Sequence, residues 1–262
     1  MLGAIGTEKN WRWAAFGKHP VAKDYFKIGQ EFPLLKGFSD WVENGYQILT
    51  SKKSLSSGLC SWRFWTKGSQ KESFACGVVK DSSDQMGRPY PLLIMGTGPL
   101  NGWENHWDLL PFACERIWDQ IEYLSAQRFN DFKIFESDIH KLWPPLPEWS
   151  KFVERRGDFT VQDLGDLKRK AFSLSEKTEI LIHIDQGGAY DQFTWVSFWH
   201  LLFKNEAKVI PNVFFMGGTL EKTYLAVFKR PLMPTDFVQL WSVSSTAPSP
   251  LHPSPPGGEG VG

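Results

Sequence analysis

Three short segments of this 262-residue chain carry side chains that can recognise charged groups. The first runs from Gly17 to Phe26 and follows a run of residues typical of a strand. Glycine permits a sharp exit from a strand, and Asp24 can cap the turn that follows. The pattern predicts a surface loop that presents Lys18, His19 and Asp24.

The second segment is Trp62-Arg63-Phe64, within a run of aromatic residues. In a strand, Trp62 and Phe64 face one side and Arg63 the other. Two interpretations stay open: an ordinary core pair with an outward arginine, or an Arg63 that pairs with a carboxylate in a polar pocket.

The third segment spans residues 82–91 and contains Asp84, Gly87 and Arg88. Asp84 can accept backbone N–H groups in an Asx turn, and Gly87 can supply a positive φ. Arg88 precedes a proline, which restricts it to extended backbone. A guanidinium held in this way suits an anion or a partner's carboxylate, and it equally suits an internal ion pair with Asp84 or Asp24.

These segments also predict one buried polar network formed by Arg63, Asp24, Asp84 and Arg88. Removing one member of such a network strands a charge, which costs about 3–5 kcal/mol.

The order of the three segments resembles the TagF family of type VI secretion-associated proteins, over about residues 13–100. The residues that carry the resemblance are Gly17, Lys18, Pro20, Asp24 and Phe26, then Trp62, Arg63 and Phe64, then Ser82, Asp84, Gly87, Arg88, Pro91 and Leu92.

The resemblance implies an accessory cytoplasmic bacterial protein that regulates assembly of the secretion system after translation, generally as a repressor. It implies a forkhead-associated-domain scaffold of the same system as partner. It implies no catalytic activity, and we expect no cofactor and no metal. The motif residues become the expected contact surface for the partner.

Composition argues against two other classes of function, nucleic-acid binding and membrane anchoring. Lys+Arg and Asp+Glu both number 29, so the net charge of zero argues against nucleic-acid binding and against a polybasic membrane anchor. No window approaches about 18 uninterrupted apolar residues, so we expect no membrane insertion. The odd set Cys60, Cys76 and Cys114 predicts buried free thiols.

Two alternatives from other classes stay open. A metal-dependent hydrolase is suggested by His183 and Asp185 at a strand end, with His19 as a third ligand. A carbohydrate-binding protein is suggested by the 13 tryptophans. Most of these tryptophans alternate with apolar residues inside predicted elements, which favours their burial.

The hydrophobic pattern predicts an α+β fold with a largely antiparallel or mixed sheet flanked by helices. We expect one TagF-like domain over residues 1–243, in two closely packed halves of about 1–128 and 129–243. Residues 244–262 are rich in Pro, Gly and Ser and predict a disordered tail. Residues 194–202, rich in aromatic and β-branched side chains, are predicted as a strand.

Overall fold

A computed structural model describes residues 11–51, 59–68, 70, 72–157, 164–184, 190–207 and 209–243. The predicted tail, residues 244–262, lies outside this part of the chain. Over the described residues the chain forms strands β1 (Arg12–Gly17), β2 (Phe26–Ile28), β3 (Ser61–Lys67), β4 (Ser73–Lys80), β5 (Leu92–Pro99), β6 (Glu179–His183), β7 (Val213–Gly218) and β8 (Thr223–Phe228). The helices are α1 (Pro33–Ser51), α2 (Leu110–Ala126), α3 (Phe132–His140), α4 (Trp149–Arg156), α5 (Leu164–Glu176), α6 (Gln192–Ala207) and α7 (Pro234–Trp241).

The strands form one antiparallel sheet in the order β2-β1-β5-β4-β3-β7-β8-β6. This confirms the predicted α+β class with an antiparallel sheet. The two predicted halves meet inside that sheet, where β3 pairs with β7 from Ser61↔Gly218 to Thr66↔Val213. The division of the chain into two halves stays a prediction.

Each face of the sheet is covered by helices, so the strands contribute apolar side chains to both sides. Helices α1 and α7 pack together over one face, whose core includes Trp41, Phe64 and Phe237. Helices α2, α3 and α6 cover the other face, whose core includes Trp65 and Trp118. Burial on both faces explains why these strands read as nearly continuous apolar runs.

The strand predicted over residues 194–202 is wrong, because these residues belong to helix α6. Every residue from Thr194 to Phe203 is buried except Leu201, which is half-buried. A helix that is apolar on all sides shows no 3.6-residue period, so its β-branched and aromatic content imitates a buried strand.

The predicted burial of the tryptophans is confirmed. Of the 13 tryptophans, 11 are buried, and only Trp143 is strongly exposed. The guanidinium of Arg116 lies 3.9 Å from the Trp143 ring centroid and covers it. Such an arrangement offers no extended aromatic platform for a sugar. All three cysteines are free and buried, as predicted.

Candidate functional site

The first and third motif segments meet at one end of the sheet. Strand β1 ends at Gly17, which pairs with Leu92 at the start of β5. Gly17 has a φ of +121°, and a Cβ there would lie 2.0 Å from the carbonyl oxygen of Pro91. Only glycine fits this close crossing, so Gly17 and Pro91 together hold the two loops side by side.

Asp84 lies at the centre of the site, and its side chain is fully buried between the two loops. Its Oδ1 accepts the backbone N–H groups of Met86 and Arg88, the Asx turn expected from the sequence. Its Oδ2 lies 3.0 Å from Lys18 Nζ and 2.7 Å from Arg88 Nε. Gly87 adopts a φ of +77° within this turn, with open space around its α-carbon.

Arg88 connects the buried aspartate to the first loop. Its Nη2 donates to the carbonyl oxygen of Lys23 and lies 3.4 Å from Asp24 Oδ2. The guanidinium therefore bridges both loops while about half of the side chain stays exposed. Of the two interpretations left open for Arg88, the structure shows the internal ion pair, and it is made with both Asp84 and Asp24.

The charges around Asp84 set its ionisation. Burial alone would raise the pKa of this carboxyl, but the Lys18 ammonium, the Arg88 and Met86 N–H groups and the Arg88 guanidinium outweigh burial. Together they lower the pKa to about 2. Asp84 is therefore an anion throughout the physiological range and holds both cations in place.

Backbone and aromatic contacts stiffen the same two loops. Gln85 N–H donates to the carbonyl oxygen of Ala22, which joins the loops directly. Tyr25 packs edge-on against Phe16 and Tyr90. Sequence reasoning missed this aromatic support, because nothing in the spacing of these residues shows that their rings meet.

The outer surface of these loops combines apolar and charged side chains. Met86 is 77% exposed and Tyr25 is 39% exposed. Lys23, Asp24, Arg88 and Pro20 are exposed beside them. We call this surface, made by residues 20–25 and 85–89, the loop surface. It combines exposed apolar groups with charged groups that are held in place by ion pairs.

His19 is not presented to solvent, which corrects the prediction for the first loop. Only 1% of the residue is exposed, and its ring stacks on Phe135 of α3 at a centroid distance of 4.4 Å. Burial lowers the pKa of its imidazole to about 4. Its Nδ1 accepts the N–H of Val21, so the residue supports the loop from below.

Arg63 does not join the network of Asp24, Asp84 and Arg88, which corrects the predicted four-residue cluster. Its Nε and Nη2 donate to both carboxylate oxygens of Glu122 on α2, at 2.8 and 2.6 Å. The structure therefore favours the second interpretation of Trp62-Arg63-Phe64, an arginine paired with a carboxylate. Lys18 takes the place in the Asp84 network that had been expected for Arg63.

The aromatic motif residues Phe26, Trp62 and Phe64 are buried in the hydrophobic core. Trp62 and Phe64 are fully buried, and the Phe64 ring stacks on Phe38 of α1. Phe26 is buried against Phe132 and Phe135 of α3.

The metal hypothesis finds no support within the described residues. They contain no group of three or more His, Cys, Asp or Glu side chains placed to hold a metal ion. Asp185 lies outside the described part of the chain, and the ring of His183 contacts Tyr224. His19 is buried near Phe129 and Phe135 instead. Among the helices described here, none is long and apolar enough to span a bilayer.

Comparison with known proteins identifies a domain family in the first half of the chain. Residues 14–141 match the family model of the TagF N-terminal domain, described as type VI secretion system-associated. This match covers just under half of the chain and identifies a TagF N-terminal domain over residues 14–141. The matched range contains the whole loop surface and also Arg63 and Glu122.

Two individual proteins resemble the chain. It is similar in fold to the crystal structure of PA0076 from Pseudomonas aeruginosa PAO1, with a TM-score of 0.50 and 17% identity over 93% of this chain and 100% of that one. A second similarity, 30% identity over 149 residues, is to a glucose-6-phosphate isomerase of Enterococcus faecalis. It covers 54% of this chain and 31% of the isomerase, so the chain spans about a third of that enzyme's length.

Proposed function

We propose that this protein is a non-enzymatic cytoplasmic regulator of type VI secretion that acts by binding a scaffold component of the system. The scaffold we propose is its forkhead-associated-domain protein. Bound in this way, the chain would repress assembly by occluding a surface that the scaffold needs. The match to a type VI secretion-associated domain supports the setting, and the geometry of the loop surface supports the mode of action.

The observation that carries the proposal is the buried Asp84 between Lys18 and Arg88. A carboxylate with four charged or backbone donors around it fixes both loops before any partner arrives. A preformed surface loses little conformational entropy on docking, which favours tight binding without a change of shape.

The exposed side chains suggest how the surface would be used. Met86 and Tyr25 supply apolar area at its centre, and Met adapts readily to the shape of a partner. Arg88 supplies a rigid cation whose position is set by Asp84. An interface of this kind combines an apolar anchor with a fixed charge, and both are common among residues that dominate binding.

The proposal is tested by isothermal titration calorimetry of the purified protein with the purified scaffold. Wild type is compared with Met86→Asp and Arg88→Ala, and folding is checked by circular dichroism. Lys36→Ala is the matched control, because Lys36 is also an exposed cation in an i,i+4 ion pair, with Asp40 on α1. We expect the two loop-surface variants to lose binding and the control to keep it. A folded wild-type protein that does not bind the scaffold would remove this partner.

A further inference from the structure

An apolar cavity lies at the opposite end of the sheet from the loop surface, between α1 and the segment that precedes α7. Its volume is about 370 Å³, within the usual range for small-ligand sites. Phe38 and Trp41 of α1, Val213 of β7 and Leu232 form its apolar walls. The last residues of β3 and the first residue of β7 also line the cavity, where Thr66 pairs with Val213.

Three polar side chains lie at this cavity: Thr66, Lys67 and Asn212. The backbone of Asn212 is fully engaged, since its carbonyl oxygen accepts from Thr66 Oγ1 at 2.8 Å and its N–H donates to Phe228. Within the described part of the chain, neither the Lys67 ammonium nor the Asn212 carboxamide has a hydrogen-bond or ion-pair partner. An apolar cavity with an unpaired cation and an amide is complementary to a carboxylate on an apolar body.

Gly37 is an exposed residue of α1 that lies at the edge of this cavity. Helix α1 contains two interior glycines, Gly37 and Gly45, and glycine destabilises a helix interior relative to alanine. Gly45 is required by packing, because a Cβ there would lie 2.3 Å from the Cβ of Phe237. No atom lies within 4 Å of a Cβ placed at Gly37, so packing within the described structure does not require glycine at that position. Gly37 lines the cavity, so a large side chain introduced there has open space in which to extend over it.

We propose that this cavity binds a carboxylate attached to an aromatic or aliphatic group. The apolar body packs on Trp41, Phe38 and Leu232, and the carboxylate accepts hydrogen bonds from Lys67 Nζ and the Asn212 carboxamide. This site is separate from the loop surface and does not depend on the function proposed for it. Two sources share this chemistry: a free organic acid, and the last residue of a polypeptide.

Titration calorimetry of the full chain with octanoate and with N-acetyl-phenylalanine tests the proposal. N-acetyl-phenylalanine amide is the uncharged control. Loss of the charge-assisted contact weakens binding about tenfold or more. We therefore expect both the amide on wild type and the acids on Lys67→Met to bind about tenfold more weakly. Tighter binding of octanoate than of N-acetyl-phenylalanine assigns a free organic acid, and tighter binding of N-acetyl-phenylalanine, which carries the acylated nitrogen of a chain terminus, assigns a polypeptide terminus.

The glycine supplies a pair of variants that separates blocking from unfolding. Gly37→Phe places a ring at a residue that lines the cavity and has open space around it, and this variant should abolish binding of either acid. Gly37→Ala raises helix propensity without reaching across the cavity and should keep the wild-type affinity. The proposal is overturned by three results: no binding of either acid at 10 mM, equal binding of acid and amide, or undiminished binding by folded Gly37→Phe.

Discussion

Acidification is expected to destabilise the protein through the buried imidazole of His200 on α6. Its Nε2 accepts a hydrogen bond from Trp65 Nε1 at 3.0 Å, and its Nδ1 lies 2.8 Å from the carbonyl oxygen of Val196. The indole can only donate and the carbonyl can only accept, so the ring is the neutral Nδ1–H tautomer. Protonation would place an N–H group at Nε2 against the N–H of the indole.

The size of this effect follows from the pKa of His200. Complete burial lowers it from its ordinary value of 6.5 to about 4. This difference corresponds to about 3 kcal/mol, because one pKa unit is worth about 1.4 kcal/mol. The unfolded chain binds the proton first, so stability is lost as the pH falls from 6.5 towards 4. Between pH 7 and pH 5 the loss from this residue is about 2 kcal/mol.

Urea unfolding followed by far-ultraviolet circular dichroism at pH 7, 6 and 5 measures this loss. His200→Gln is the comparison, since glutamine can accept from Trp65 and donate to Val196 but does not titrate. The other buried histidine, His19, titrates in the same direction in both proteins and cancels in the difference. We expect the variant to lose about 2 kcal/mol less than wild type between pH 7 and pH 5. Equal losses in the two proteins would show that protonation of His200 does not destabilise the fold.

Three further predictions concern the site and the core. Asp84→Asn should lower the midpoint of thermal unfolding at pH 7, and the difference from wild type should shrink as the pH falls from 4 towards 2, where wild-type Asp84 itself becomes protonated. Gly45→Ala should cost about 1–3 kcal/mol in urea unfolding, because the new Cβ meets Phe237, and a variant as stable as wild type would contradict that packing. Arg63→Met should lower the free energy of unfolding by about 1–2 kcal/mol, because it leaves the partly exposed Glu122 without its cation. Adding Glu122→Gln should restore part of this stability. No recovery in the double variant would argue against the ion pair.

The sequence predicts elements whose apolar residues repeat with a clear period. The apolar face of α1, including Phe38, Trp41 and Leu49, predicts that helix within two residues of its end. The hairpin of β3 and β4 follows from two aromatic and β-branched runs separated by a glycine-containing turn. In contrast, α6 is buried on all sides and carries no period, and β2 has only three residues, too few for a pattern.

Local turn chemistry could be predicted at the site, but long-range partners could not. The Asx turn at Asp84 and the positive φ of Gly87 follow from residue types within five positions of each other. The partner of Arg63 is Glu122, 59 residues away on another helix, and no spacing rule connects them. The burial of His19 likewise depends on the aromatic rings of α3, a helix absent from the sequence prediction.

We propose that Asp84 fixes a preformed loop surface that binds the forkhead-associated-domain scaffold. The most direct test compares titration calorimetry of that scaffold with wild type, Met86→Asp and Lys36→Ala, all shown to be folded. We predict saturable binding by wild type and by Lys36→Ala, and loss of binding by Met86→Asp. Equal affinities for wild type and Met86→Asp would contradict the claim and place the contact elsewhere on the molecule.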